Sequence, residues 1–342
     1  MRFGLRLKRL PLLTLLAALT FSACAPRSQD CAGADVFCVG FVTASGSIDE
    51  GINHEAWLGL QDAKSEGLAQ RIDYIATVDS RDRAKNISYF AEQGYDLIIT
   101  VGAALSNDTV TAALSYPKIL FIGVEQPQPT KYPNLTGLVF HEENSGYLAG
   151  ALAALITHTN QVAAVCEDKS LDAIRRYCEG FKAGALSINS KIKIDVSYRK
   201  GSSEKLFNDP GWGSATAMEL VNGGADVLFA AGGATGEAAL ETAAKQGAAV
   251  IGSETDAYAG LTDIRSQIVS SALNDIRSGV LNLMRLSRKE NFPSGEYFGS
   301  NSLASFHDWE PLLSQSILNQ LKIIKKGLDD KTIQIKVPYK SP

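Results

Sequence analysis

Short β-branched apolar runs alternate with amphipathic stretches from Val36 onward, which is the signature of strands separated by helices. Val36–Thr43, Ile72–Val78, Leu97–Val101 and Ile119–Val124 predict strands, and His54–Glu66, Ala84–Gln93 and Thr109–Leu114 predict the helices between them. The order then restarts. Leu148–Ile156, Ala173–Ala185, Ser214–Asn222 and Glu237–Lys245 predict helices around strands at Val162–Cys166, Ile192–Tyr198, Val227–Ala231 and Ala249–Gly252. Beyond these, Ile268–Ala272 reads as a strand, Asp275–Arg285 as a helix, Phe292–Gly295 as a turn, Leu312–Lys326 as a helix and Ile333–Val337 as a final strand. Strands separated by helices imply parallel βαβ units with right-handed crossovers. Continuous apolar strands such as Leu97-Ile98-Ile99 suit a sheet covered on both faces.

The two halves repeat each other. Gly94-Tyr95-Asp96-Leu97-Ile98 returns as Gly224-Ala225-Asp226-Val227-Leu228, and Phe121-Ile122-Gly123-Val124-Glu125 returns as Val250-Ile251-Gly252-Ser253-Glu254. The expected fold is therefore α/β with two Rossmann-like lobes, each with a parallel sheet. Their carboxyl edges face each other across a cleft, where open α/β sheets bind ligands. Gly102 and Gly232, just past matching strands, allow close backbone approach to a ligand. Lobe 1 is expected over residues 36–140 plus about 268–296, and lobe 2 over 141–267 plus about 297–342. Several crossings between them make a multi-strand hinge.

The start of the chain has a different character. Arg2, Arg6, Lys8 and Arg9 precede an apolar run from Leu10 to Phe21, the layout of a secretory signal over residues 1–23. The run is roughly 12 residues, short of the ~20 that span a bilayer. Phe21-Ser22-Ala23-Cys24 resembles a bacterial lipobox, which implies an acylated Cys24 and an anchor linker over 24–35; an ordinary cleaved signal with an incidental Cys is the alternative. Four cysteines remain as local pairs, Cys31 with Cys38 and Cys166 with Cys178, and in an exported chain an even count reads as disulfides, free buried thiols being the alternative. No CxxC spacing and no histidine cluster argues for a metal. A net charge of −4 with dispersed Lys and Arg gives no nucleic-acid footprint.

Several motifs together resemble the basic-membrane-protein family of substrate-binding lipoproteins, a nucleoside-receptor branch of the type I periplasmic-binding-protein fold. They are Val42-Thr43 with Ile48-Asp49 and Asn53, Glu142-Glu143 through Gly146-Tyr147-Leu148-Ala149-Gly150, Ile174-Arg175-Arg176-Tyr177 with Gly180-Phe181, Asp209-Pro210, and Gly232-Gly233-Ala234-Thr235-Gly236. The resemblance implies a monomeric, lipid-anchored receptor outside the cytosol, without a cofactor. It would hand a small polar ligand, often a purine nucleoside, to an ABC permease. Carried over residue by residue, the resemblance places Asp49, Ile52, Asn53, Asn107 with the adjacent Asp108, Phe207, Gly232, Glu254 and Asn274 at ligand positions. Ile52 stands where the family has a stacking aromatic, Glu254 where it has a ribose-binding Asp, and Asn274 where it has a Lys.

Chemically, Glu254 suits vicinal hydroxyls, which want a carboxylate acceptor. Phe207 or Trp212 suits a flat ring. Blander roles stand beside these: Phe207 anchoring a turn, Trp212 in an exposed loop, Asp49 and Asn107 as helix caps, and Glu125 as rim or hinge. Gly232–Gly236 lacks the Gly-Lys-Ser/Thr of a phosphate loop. No Gly-x-Ser-x-Gly or His-Glu-x-x-His motif points to catalysis, so a binding protein is expected rather than an enzyme. A sugar receptor, a ligand-sensing lipoprotein and, last, a hydrolase using Glu254 and Asp256 are the alternatives.

Overall fold

The computed structural model describes residue 1, residues 31, 33, 35–49, 51–201, 203–289 and 292–337. The expected signal and the acylated Cys24 lie outside the described residues. In the first lobe, β1 (Cys38–Thr43), α1 (Gly51–Ser65), β2 (Arg71–Ala76), α2 (Arg83–Glu92), β3 (Leu97–Val101), α3 (Ser106–Ser115), β4 (Leu120–Val124) and β5 (Leu135–Val139) follow in turn. The second lobe takes α4 (Glu142–Ile156), β6 (Gln161–Cys166), α5 (Asp172–Ile188), β7 (Lys193–Tyr198), α6 (Pro210–Asn222), β8 (Val227–Ala231) and α7 (Gly233–Lys245). It continues through β9 (Ala249–Glu254), the one-turn α8 (Ala257–Gly260) and β10 (Ile268–Asn274). Then α9 (Ile276–Ser287) and β11 (Gly295–Phe298) return to the first lobe, and β12 (Asn301–Leu303) and α10 (Gln315–Asp329) to the second.

Two six-stranded sheets result, in the orders β11-β5-β4-β3-β1-β2 and β12-β10-β9-β8-β6-β7. Every pairing is parallel except β10 with β12. Strands β3 and β8 are buried throughout, as their continuous apolar sequence requires. Helix α5 buries Ile174, Tyr177, Cys178, Phe181 and Ala185, a spacing of three and four residues that lays one apolar stripe on the core. Against it lies α4, in a seam of small residues. A Cβ at Gly146 or Gly150 would strike the backbone of Tyr177 or Phe181, and one at Gly180 or Gly184 that of Glu143 or Tyr147. Both disulfides form, Cys31–Cys38 at the start of β1 and Cys166–Cys178 tying β6 to α5.

Two expectations need correction. Ile268–Asn274, assigned to lobe 1, pairs with β9 in the second sheet, so the return to lobe 1 begins only with α9. Ile333–Val337 forms no strand. Ile333 instead folds back so that its N–H meets the Gly327 carbonyl at 2.8 Å at the end of α10, and Ile333 and Ile335 pack against the second-lobe core.

The chain crosses between lobes at Phe140–His141, at Asp275 and at Gly299–Ser300, and the three crossings are cross-bonded. Asp275 N–H donates to Ser300 O at 3.0 Å, and Gly299 N–H to Val139 O at 2.9 Å. The Asn301 amide donates to Ser145 Oγ and to Asn274 Oδ1, both at 2.9 Å. A triple connection bonded this way restricts relative motion to a defined direction.

Candidate functional site

The carboxyl edges of the two sheets face each other, and between them lies a cavity of about 590 Å³. Asp49, Gly51, His54 and Glu55 enter it from the β1–α1 loop and the first turn of α1. Opposite stand Gly232 and Gly233 after β8, Glu237 on α7, and the segment from Gly252 to Leu261 that carries Glu254. Three of the sequence-derived residues, Asp49, Gly232 and Glu254, therefore meet across one space.

The backbone explains why they do. Gly232 has φ 133°, a conformation that L side chains rarely adopt, and a Cβ there would collide with Glu167. Glu254 ends β9 in the left-handed region at φ 70°, and Glu125 follows β4 in the same conformation at φ 57°. A non-glycine residue held there is uncommon and concentrates at functional positions. The duplicated strand ends thus aim two glutamates at the hinge end of the cleft. Their charges are felt by one another, and a buried carboxyl prefers its proton. Burial, the charge on Glu254 and that on Glu142 push Glu125 up to about 8, against a hydrogen bond from Asn274. Burial, opposed by Arg176, pushes Glu142 up to about 7. Burial and the charge on Glu237 raise Glu254 as well.

Glu167, which sequence reasoning passed over, is fully buried and organises the second-lobe face. Its carboxylate pairs with the Arg199 guanidinium, itself 2% exposed. It also accepts from Phe207 N–H at 3.0 Å, Thr235 Oγ1–H at 2.9 Å and Asp168 N–H at 3.1 Å. One side chain thereby holds the loops that follow β6, β7 and β8. Phe207 is fixed at φ 61° with its ring exposed at the rim.

The remaining expected residues do not line this cavity. Ile52 packs against the first-lobe core beside Trp57. Asn53 donates to Ser45 O at 2.9 Å and to Ser47 O at 3.1 Å, so it shapes the loop that presents Asp49. Asn107 and Asp108 sit in the first turn of α3, where Asn107 is exposed. Trp212 packs on the second-lobe core, and its backbone N–H donates at 3.4 Å to Asp209, which caps α6. Asn274 is buried in the hinge, bonded to Glu125 and Asn301. His54 was not anticipated; its Nδ1 lies 3.2 Å from Ile48 O, and with the proton there Nε2 is left as an acceptor.

Two α/β lobes, a bonded triple hinge and a polar cleft at the opposed strand ends define a small-molecule binding protein of the periplasmic type. The comparisons narrow this. The family model of PnrA-like ABC transporter substrate-binding proteins matches residues 37–299, and the chain belongs to that family. It is 33% identical to the ABC transporter nucleoside-binding protein BmpA of Lactococcus lactis over 56% of this chain and 54% of that one, about half the relative's length. It is 26% identical to the CD4+ T-cell-stimulating antigen of Listeria innocua over 95% of this chain and 96% of the relative. Solved structures of ABC solute-binding proteins from Conexibacter woesei and Aeropyrum pernix share the fold. The first has TM-score 0.73, 18% identity and coverage of 88% of this chain and 98% of its own; the second has 0.70, 17%, 89% and 94%. The protein is thus an ABC transporter substrate-binding protein, a class of binding proteins and not of enzymes. No helix among the described residues is long and apolar enough to cross a membrane.

Proposed function

We propose that this chain is a lipid-anchored receptor, held outside the cytosol by Cys24, that captures a nucleoside between its lobes and presents it to an ABC permease as a monomer. Ligand docks on one lobe, the hinge closes, and groups from both lobes pair with it; ligand acts by favouring the closed population. The observation that carries this reading is Glu254. It is a carboxylate held at φ 70° on the cleft floor, without a cationic partner among the described residues, opposite Asp49 of the other lobe. Such an acceptor suits the adjacent hydroxyls of a ribose, each charge-assisted bond contributing roughly 1.5–3 kcal/mol. The nucleoside-binding name of the Lactococcus relative supports the same ligand class.

A sugar is the second reading, because Ile52 packs against the core and no Phe, Tyr or Trp among the described residues lines the cavity. A thermal-shift panel of nucleosides, free bases and simple sugars separates the two, since a tight ligand raises the midpoint by mass action. Glu254→Ala is expected to weaken calorimetric binding of the best ligand by about 2–4 kcal/mol. Unchanged affinity removes Glu254 from the site. For the anchor, Cys24→Ala is expected to move the expressed protein from the membrane fraction to the soluble one; retention in the membrane contradicts acylation at that residue.

A further inference from the structure

The charges around the cleft do not balance. Asp49 and Glu55 enter from the first lobe, Glu237 and Glu254 from the second, and none of these four has an ion-pair partner within 4.0 Å among the described residues, although the charge of Arg277, paired with Asp62, also reaches Glu55. Asp256, also on the lining, has His307 Nε2 at 2.7 Å as a hydrogen-bond partner. Among the described residues His54 is the only basic side chain of the lining, and its ring is engaged with the Ile48 carbonyl. Arg83 stands on the same carboxyl edge of the first lobe, but its Nε donates to Ala44 O at 3.1 Å and it does not line the cavity.

Beneath the floor Glu125 feels the charges of Glu254 and Glu142. Glu142 itself pairs with the Arg176 guanidinium at 3.2 Å. Tyr177, 1% exposed, keeps a phenolic oxygen without a hydrogen-bond partner within electrostatic reach of Glu142, Glu254 and Glu125.

Resting on the receptor reading above, we propose that the ligand of this cleft carries a positive charge, as an amine-bearing nucleoside or amino sugar, held by Glu237 and Glu254 from one lobe and Asp49 and Glu55 from the other. A neutral polyol would satisfy hydroxyl acceptors yet leave four carboxylates facing one another in a closing, desolvating space. Like charges there repel more strongly as water leaves. A single ammonium or delocalised ring cation removes that repulsion and supplies donors to both lobes at once. It also makes closure depend on the ligand, since without the cation the two acidic faces oppose approach. A metal ion is a poorer fit, because no group of three or more His, Cys, Asp or Glu among the described residues is placed to hold one.

The test is calorimetry on matched pairs, adenosine with 5′-amino-5′-deoxyadenosine and glucose with glucosamine, at two ionic strengths. The amine member of at least one pair is expected to bind about tenfold or more tightly than its neutral partner. That advantage is expected to shrink in Glu237→Gln, an exposed position where the fold is not at stake. Neutral members binding as well as or better than amines overturns the inference while the receptor reading stands. Glucosamine binding with neither nucleoside binding supports the inference and removes the nucleoside. Binding by no member contradicts both.

Discussion

Arg199→Met is expected to destabilise the protein by about 3–5 kcal/mol, because it leaves the Glu167 carboxylate buried without its cation. Glu167 is fully buried, and its other contacts are single hydrogen bonds from Phe207, Thr235 and Asp168. Those donors lessen the penalty but carry no formal charge. Urea denaturation measures the loss directly. The diagnostic comparison is the double variant Glu167→Leu/Arg199→Met. Replacing both members by apolar groups of similar size removes the stranded charge, so much of the stability is expected to return. Ligand affinity is expected to stay low in the double variant, since the loops after β6, β7 and β8 lose their common anchor. Equal stability in wild type and Arg199→Met would show that the pair is not what holds these loops.

The second large effect is on pH. Glu125 keeps its proton in the folded chain up to about pH 8, because burial and the charges on Glu254 and Glu142 oppose ionisation, whereas the unfolded side chain titrates near its ordinary value of 4.5. Between those values the folded state binds more protons, so stability falls as pH rises through the window and the loss is complete above it. The Glu125 contribution is on the order of 5 kcal/mol. Glu142, pushed up to about 7, adds slope of the same sign below neutrality. Glu125→Gln cannot ionise and preserves the capacity to bond Asn274. Its stability measured at pH 5, 7 and 9 is expected to decline less than that of wild type. Parallel profiles for the two proteins would show that Glu125 does not titrate in this window.

Much of the fold was legible because the signals were local. The strands at Leu97–Val101 and Val227–Ala231 coincide with their sequence ranges, and the repeat at Gly94 and Gly224 correctly announces two equivalent sheets. What failed was what only neighbours decide. Leu135–Val139 was overlooked because a five-residue run containing Thr136 and Gly137 gains its strand identity from β4 and β11 beside it. Ile268–Asn274 was given to the wrong lobe because nothing in its own residues names the sheet it joins. Ile333–Val337 has strand composition, but Ile333 and Ile335 pack against the second-lobe core beyond the end of α10 and join neither sheet.

The site divides in the same way. Gly232 and Glu254 are visible from their places just past strands, where the fold puts ligands. Trp212 was read as a ring-stacking group and Ile52 as the residue in place of one, yet both pack against the cores. Glu167 gave no sequence signal, because its role exists only where three loops separated by up to 68 residues converge. The acidity of the cleft was hidden for the same reason: Asp49 and Glu237 are unremarkable until the lobes face one another.

In the receptor reading proposed above, transport depends on closure of the lobes about the bonded crossings at Phe140–His141, Asp275 and Gly299–Ser300. Small-angle X-ray scattering on the protein alone, and then saturated with the tightest ligand from the calorimetric panel, reads it without labels. A smaller radius of gyration in the saturated sample is the predicted result. Superimposable curves, with calorimetry confirming full occupancy, would contradict a receptor that works by closing.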